Sequence, residues 1–386
     1  MFELRLLVVE DEQSQLNTWN EKIELHNAEA ELHGFFITQT QVKSLNDAKV
    51  TLENNDYDAA VIDLRLDIER GRGPNDHGNQ VLKLVLENEL AVMAIFSAEV
   101  NLADIPQEHS GVINVFRKGG DGGGTANLMS WLISQSPLIK NIKEVQRDIK
   151  REMAKLFTKS IWPRWNNWTS GDSQSSIFLK SALTRHLTAY IYASFLEKSN
   201  QKVHPEEWYF VPPIRTGIKT GDIIKNADGS YEIIITPRCD LAREGKNETY
   251  QLVQCKIVST KWKELCDNFK NKSADLTGNQ NAQRTESLEK KVKSAAQEIR
   301  NFTQHNSNSS IYHFLPELKL NDNETIGPFL VEFDKLRSIK RTDEGVQDQL
   351  SSARIAAIAP EFLPSLVERL GAFFSRFGTP DYSHHD

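Results

Sequence analysis

Cysteine is scarce: the 386 residues hold three, Cys239, Cys255 and Cys266. None has the paired spacing of a metal knuckle or a disulfide framework, which excludes both classes. They are read as reduced core thiols of a cytoplasmic protein. Long apolar runs are also missing. No stretch approaches the ~18 consecutive apolar residues of a membrane span, so no membrane is expected among the partners. The opening residues Met1-Phe2-Glu3-Leu4-Arg5 lack the charged and apolar segments of a secretory leader. Positive charge is not in excess either, with 46 Lys+Arg against 53 Asp+Glu and a net of -7. That balance gives no footing for nucleic acid as the main partner. The glycine-dense stretch Lys118-Gly119-Gly120-Asp121-Gly122-Gly123-Gly124 lacks the Gly-Lys-Ser/Thr of a P-loop. It is read as a loop and not as a nucleotide cradle.

What is present suits a water-soluble globular chain, 39% hydrophobic and 26% charged. Its length predicts two or three domains. Charge is unevenly spread. Residues 1–140 hold 11 Lys+Arg against 22 Asp+Glu, a net of -11, and residues 141–386 hold 35 against 31, a net of +4.

Four short apolar runs in the first third each end in a chemically capable residue. Leu4–Val9 leads to Glu10-Asp11, Ala59–Ile62 to Asp63, Val92–Phe96 to Ser97, and Val112–Phe116 to Arg117-Lys118. Between them lie helical patterns from Asp11 to about Ala28, near Asn46–Asn54, over Val81–Leu86 and over Ala126–Ile133. A further strand is expected at Phe35–Thr40. Alternation of this kind predicts a five-stranded parallel sheet with helices on both faces. In such a sheet, groups at the carboxyl ends of the strands converge on one crevice. Three carboxylates, a hydroxyl and an ammonium would meet there.

Clustered carboxylates repel one another and call for a cation. Hard oxygen ligands with room for water favour Mg2+. The chemistry that fits is transfer of a phosphoryl group to a carboxylate, with cation and ammonium offsetting the developing charge. Asp63, on the central strand of the group, is the natural acceptor.

Over residues 1–135 the chain resembles the receiver domain of two-component response regulators, a flavodoxin-like α/β fold. The matching segments are Val9-Glu10-Asp11-Glu12, Ile62-Asp63-Leu64, Phe96-Ser97-Ala98 and Phe116-Arg117-Lys118. The resemblance implies phosphorylation of Asp63 by a histidine kinase or phosphotransfer protein. It implies Mg2+ held by Asp11, Asp63 and the backbone carbonyl of Arg65, with Glu10 assisting. It further implies that Lys118 pairs with the phosphoryl group, and that Phe116 turns inward as Ser97 moves. Two departures stand out. Gly119 replaces the proline usual after the lysine, and residues 67–77 form a longer polar connection than usual.

Ser136-Pro137 marks a boundary. Beyond it Leu138, Ile142, Val145, Ile149, Met153 and Leu156 recur at three- and four-residue steps, a heptad-like stripe. Residues 136–160 are read as a linker helix that either dimerises the chain, together with the receiver, or packs on its own effector domain. Trp162, Trp165 and Trp168 are read as an anchor that buries a junction, in preference to a platform for bases or sugars. His186 is expected as a core histidine in an apolar helix over Ser176–Leu196.

Residues 161–386 are read as an α+β effector domain with a small antiparallel sheet or barrel. Strands are expected near Gly221–Ile224, Tyr231–Thr236 and Leu252–Val258, with the hairpin turn Asn226-Ala227-Asp228-Gly229-Ser230 between the first two. A polar excursion follows over Asn271–Gln304, then strands at Ile311–Leu315 and Phe329–Phe333, and a closing helix over Ala353–Phe374. The sharpest segment is Thr236-Pro237-Arg238-Cys239-Asp240. Cys239 beside Asp240 has the elements of a nucleophile with an orienting acid, and His313 or His186 would be the base. Asp222 with Asp240 would suit a hydrolase or nuclease. The plainer reading is a small core cysteine and a turn-forming Asp. No helix-turn-helix, cyclic-dinucleotide enzyme or histidine kinase pattern occurs, so output by protein interaction is preferred over enzyme action and over atypical nucleic-acid binding.

Overall fold

The strand-forming runs of the first third have two lengths of apolar sequence and two fates. In this computed structural model, β1 (Phe2–Val9), apolar without interruption from Leu6 on, and the apolar β3 (Ala59–Ile62) and β4 (Val92–Ser97) lie at the centre of a sheet. A strand covered on both faces needs no polar alternation. β2 (Phe35–Val42) alternates and takes an edge, and β5 (Asn114–Arg117) takes the other. All pairings are parallel, in the order β2-β1-β3-β4-β5. That is the flavodoxin-like doubly wound order. The structure describes residues 1–66, 76–119, 123–169, 176–198, 203–214, 216–243, 245, 248–278, 282–304, 311–321 and 323–375. Most of the 67–77 connection and part of the glycine-dense loop lie outside them.

Parallel neighbours need crossovers. α1 (Gln13–Ala28), α2 (Leu45–Asn54) and α3 (His77–Asn88) supply three, and α4 (Gly123–Ser134) follows β5. Ser44 caps α2, its Oγ accepting from the Asp47 amide at 3.1 Å. Between β4 and β5 the described residues hold only two 3-10 turns, at Val100–Leu102 and Gln107–His109. Apolar clusters fill both faces: one around Leu6, Trp19, Phe35 and Phe96, the other around Leu7, Ile62, Leu82 and Ile95.

α5 (Ser136–Leu156) starts after one turn residue, with Pro137 in its first turn. Its Ile139 is buried in the same cluster as Trp19 and Phe96. Asp58, just before β3, holds it from the side: its carboxylate accepts from the Arg5 amide at 2.7 Å and from Lys143 Nζ at 2.6 Å. α6 (Ser176–Lys198) packs on α5. Two expectations change here. Trp162 and Trp165 are exposed, and His186 is exposed with its ring 5.3 Å from that of Trp168. α6 packs on α5 along one side only, and His186 lies on the other.

The chain divides into two compact units, residues 1–200 and 201–386. The second is built on a seven-stranded antiparallel sheet, larger than the small sheet expected. The elements in chain order are β6 (Tyr209–Phe210), β7 (Asp222–Lys225), β8 (Tyr231–Ile234), β9 (Thr249–Ile257), α7 (Ser259–Thr277), α8 (Ala282–Gln304), β10 (Tyr312–Leu315), β11 (Leu318–Asn321), β12 (Glu324–Ile326), β13 (Phe329–Lys340), β14 (Arg354–Ile358) and α9 (Leu363–Phe374). The sheet runs β10-β13-β9-β8-β7-β14-β6, and β11 pairs with β12 apart from it. Residues 353–374, read as one helix, are divided. Arg354–Ile358 is a strand between β7 and β6, and Pro360 separates it from α9. Pairing with β7 and β6 overrides the helical preference of Ala356 and Ala357. The polar excursion is two long helices, α7 and α8, packed on each other. Of the three cysteines only Cys255 is core; Cys266 is half-buried and Cys239 exposed.

β8 is buried along its length, yet it contains Glu232. Arg337 of β13 answers it, with Nε 2.6 Å from Oε1 and Nη2 on Oε2, and Asn226 Nδ2 donates at 2.9 Å. Burial works to raise the Glu232 carboxyl, but the Arg337 and Asn226 hydrogen bonds outweigh it and hold it below its usual range. A carboxyl lowered in the folded state adds stability above its unfolded value, lost as pH falls through the folded one. Glu232→Gln is expected to cost roughly 1–3 kcal/mol at neutral pH in urea unfolding. The difference from the parent chain should shrink on acidification; an equal penalty at acid and neutral pH would contradict this account.

Candidate phosphoacceptor site

The chain-end residues of the parallel strands are held by the ladder itself. The Glu10 amide donates to Val42 O at 3.0 Å, the Asp63 amide to Val9 O at 2.9 Å, and the Lys118 amide to Ser97 O at 2.9 Å. Each functional residue is therefore fixed by one hydrogen bond beyond the last strand residue. Their side chains meet. Glu10, Asp11 and Asp63 each offer a carboxylate oxygen within 4.8 Å of the others, and this is the only such group of three among the described residues. Lys118 Nζ sits 2.5 Å from Glu10 Oε2 and 2.5 Å from Asp63 Oδ2. Glu10, Asp63 and Ser97 are buried, Asp11 and Lys118 half-buried.

Burial pushes the Glu10 carboxyl up, and the pull of Lys118 does not cancel it. Burial would lower the Lys118 ammonium, but hydrogen bonds to Asp63 and Glu10 prevail and raise it. Lys118 therefore stays charged. Three carboxyl groups face one ammonium in a largely enclosed space. The donors are all hard oxygens, which suits a divalent cation such as Mg2+. The residues present fit that ion.

The surrounding shell is ordered by aromatic rings and by two residues that sequence reasoning missed. Lys118 Nζ lies 5.8 Å from the centre of the Phe96 ring, and Phe96 meets Trp19 edge-on at 6.1 Å. Phe116 is half-buried, its ring 5.8 Å from that of Trp131 on α4. Arg65 donates its amide to Asp63 Oδ1 at 3.4 Å, and its guanidinium is ion-paired with Glu99. Glu99 in turn donates its amide to Ser97 Oγ at 3.4 Å. Gly78 in the first turn of α3 lies against the strand end: a Cβ there would stand 2.3 Å from Asp63 O and 2.4 Å from Leu64 Cα. A glycine opening an amphipathic helix is the one sequence signal that could have pointed to it.

In the second unit Asp222 lines a cavity, and Cys239 and Asp240 lie together on a short helix whose Arg238 lines the same cavity. Asp222 is buried; its carboxylate accepts from the Lys219 amide at 2.8 Å and from Arg354 Nη1 at 3.3 Å, while burial pushes its carboxyl up. It lines a cavity of about 250 Å3 with Phe210, Ile214, Lys219, Arg238 and Ile358. Cys239 and Asp240 lie on the short helix Arg238–Leu241, with Sγ 3.5 Å from Asp240 Oδ1. His186 belongs to the other unit, and His313 is buried in β10.

No protein-family model matches the chain, and no curated protein matches it. Among solved structures, part of the chain is similar to the non-phosphorylated HemR receiver domain of Leptospira biflexa. The two are 20% identical over 35% of this chain and 94% of that one, with a TM-score of 0.24. Part is similar to the response regulator TrrA of Thermotoga maritima, solved in complex with Mg2+-BeF, at 15% identity over 34% and 98% of the two chains and a TM-score of 0.21. A response regulator from Burkholderia pseudomallei with a phosphorylated aspartic acid is 13% identical over 52% and 99%, with a TM-score of 0.25. At these identities the likeness concerns the fold alone, which is read here from the strand order and registers of this chain. The N-terminal part of the chain resembles response-regulator receiver domains over about 35% of its length.

Proposed function

We propose that the chain is a two-component response regulator that accepts a phosphoryl group on Asp63 from a histidine kinase or phosphotransfer protein. The observation that carries this reading is the meeting of Glu10, Asp11 and Asp63 at the carboxyl edge of the sheet, bridged by Lys118. On this reading residues 1–135 are the receiver and the helix from Ser136 is the linker. The antiparallel unit is the output module, acting through contacts with another protein. Asp222 is already engaged by Arg354, and the acids of that unit form no three-carboxylate group among the described residues. A metal-dependent hydrolase or nuclease there has less support.

Asp63 Oδ attacks phosphorus, and the P–N bond to the donor imidazole breaks with its electron pair left on nitrogen. Lys118 already touches the acceptor oxygen, so its ammonium passes to a phosphoryl oxygen without leaving the site. Ser97 Oγ donates to a second phosphoryl oxygen. Phe116 then turns toward the space that Ser97 leaves, which changes its packing on Trp131 and so the base of α5. Mg2+, held by Asp11, Asp63 and the Arg65 carbonyl with Glu10 assisting, would offset charge on the transferred group.

Incubation with a phosphodonor and Mg2+ should give a hydroxylamine-labile acyl phosphate on the parent chain and none on Asp63→Asn. Labelling of the Asn variant at the same level would overturn the assignment. Gly78→Ala should destabilise the receiver by roughly 1–3 kcal/mol, because its Cβ overlaps backbone that cannot step aside. It should also slow phosphorylation by displacing Asp63. Parent-like unfolding and labelling would show that α3 does not press on the strand end.

A further inference from the structure

The helical pair that follows the receiver does not finish its own core. α6 is a 23-residue helix rich in apolar side chains on all sides, yet none of its residues from Ser176 to Phe195 is buried. One row, including Leu179, Leu183, Leu187 and Tyr190, is half-buried. The opposite row carries Ile177, Phe178, Tyr192 and Phe195, between 36% and 77% exposed. Ile177 and Phe195 are five turns apart and share one azimuth, and the other two fall within about 100° of it. α5 has the same defect. Leu138, Val145 and Met153 of its heptad-like stripe stay between 38% and 54% exposed. Between the two helices Phe157, Trp162 and Trp165 are exposed as well.

We propose that this pair is one half of a four-helix bundle completed by a second copy of the chain. Area argues for it. At roughly 150–250 Å2 per large side chain, these ten residues leave on the order of 900 Å2 uncovered, against about 800 Å2 per partner in a standard interface. Shape argues for it too. α5 and α6 are 21 and 23 residues long, so two such pairs match end to end, and a two-fold axis closes the assembly with the same patch on both sides. The exposed row of α6 is filled between its large residues by Ser181, Thr184 and Thr188, which let a second helix approach, with Arg185 as its one charge. Charge places a condition on the contact. Residues 136–198 hold 11 Lys+Arg against 5 Asp+Glu. Two copies repel over their outer faces, so the apolar seam must supply the attraction, and salt should tighten the dimer.

The test is light-scattering mass of the full, unphosphorylated chain across the micromolar range, at low and high salt, for the parent and for an Ile177→Lys/Phe195→Lys double variant. The parent should run at twice the 43.9 kDa of one chain and the variant at 43.9 kDa. The far-UV circular dichroism should be unchanged, because both positions are exposed in the single chain. A monomeric parent, with the surface covered by another part of the chain or by a different partner, would overturn the proposal. So would a dimer that persists in the variant, or one that salt dissolves. None of these outcomes depends on chemistry at Asp63. A Val145→Lys variant repeats the test on α5, and a dimer unaffected by it would overturn the four-helix arrangement.

Discussion

Lys118 is held between Glu10 and Asp63, and the arrangement of the receiver depends on that contact. A parallel sheet delivers the ends of its strands to one edge, and here three of those ends are acidic. Without a cation the edge would push itself apart. One ammonium at 2.5 Å from two carboxylates offsets part of the repulsion. The remaining acidic oxygens suit a divalent ion. On the proposed reading, transfer of a phosphoryl group to Asp63 Oδ2 would break this same contact, since that oxygen now faces Lys118. The balance of charge at this edge of the sheet thus rests on a single side chain.

The consequences of breaking it have a physical path. Phe96 borders Lys118 and packs on Trp19; Phe116 packs on Trp131; Ile139 of α5 is buried in that same cluster. Close-packed interiors transmit displacement because they have no slack to absorb it. Asp58 closes the path on the far side of the sheet by tying Lys143 of α5 to the Arg5 amide of β1. The helix that leaves the receiver is therefore part of its core at one end and has uncovered apolar surface along the rest.

The second unit solves a different problem. Its central strand β8 is buried on both faces, with Tyr231, Ile233 and Ile235 in one cluster and Ile234 in the other. Glu232 in the middle of that strand is tolerable only because Arg337 arrives from β13, two strands away, with a two-pronged grip. Asp222 and Arg354 repeat the device at the start of β7. Both pairs link segments more than a hundred residues apart. They tie the register of the sheet to specific partners, where apolar packing alone would tolerate a slip.

Much of the receiver was legible because its signals are local. A strand that ends in an acid, and a helix whose apolar residues recur at three and four, can be read within ten residues of chain. The alternation of the two then leaves few topologies. Gly78 was not legible, since its need for a missing Cβ comes from the end of another element, nor was the Glu99–Arg65 pair. Arg354–Ile358 reads as helix from sequence because its apolar run is short and its neighbours are helical; only pairing with β7 and β6 decides it. Trp162, Trp165 and His186 were expected inside because aromatic and apolar neighbours usually imply a core. Their exposure follows from how many helices stand around them. The amino-acid sequence by itself determined which residues lie at the strand ends and what chemistry they can do, because those properties depend on covalent neighbours. The tertiary structure decided which strands pair, which faces are covered and which charges meet, because those depend on atoms far along the chain brought within a few ångströms.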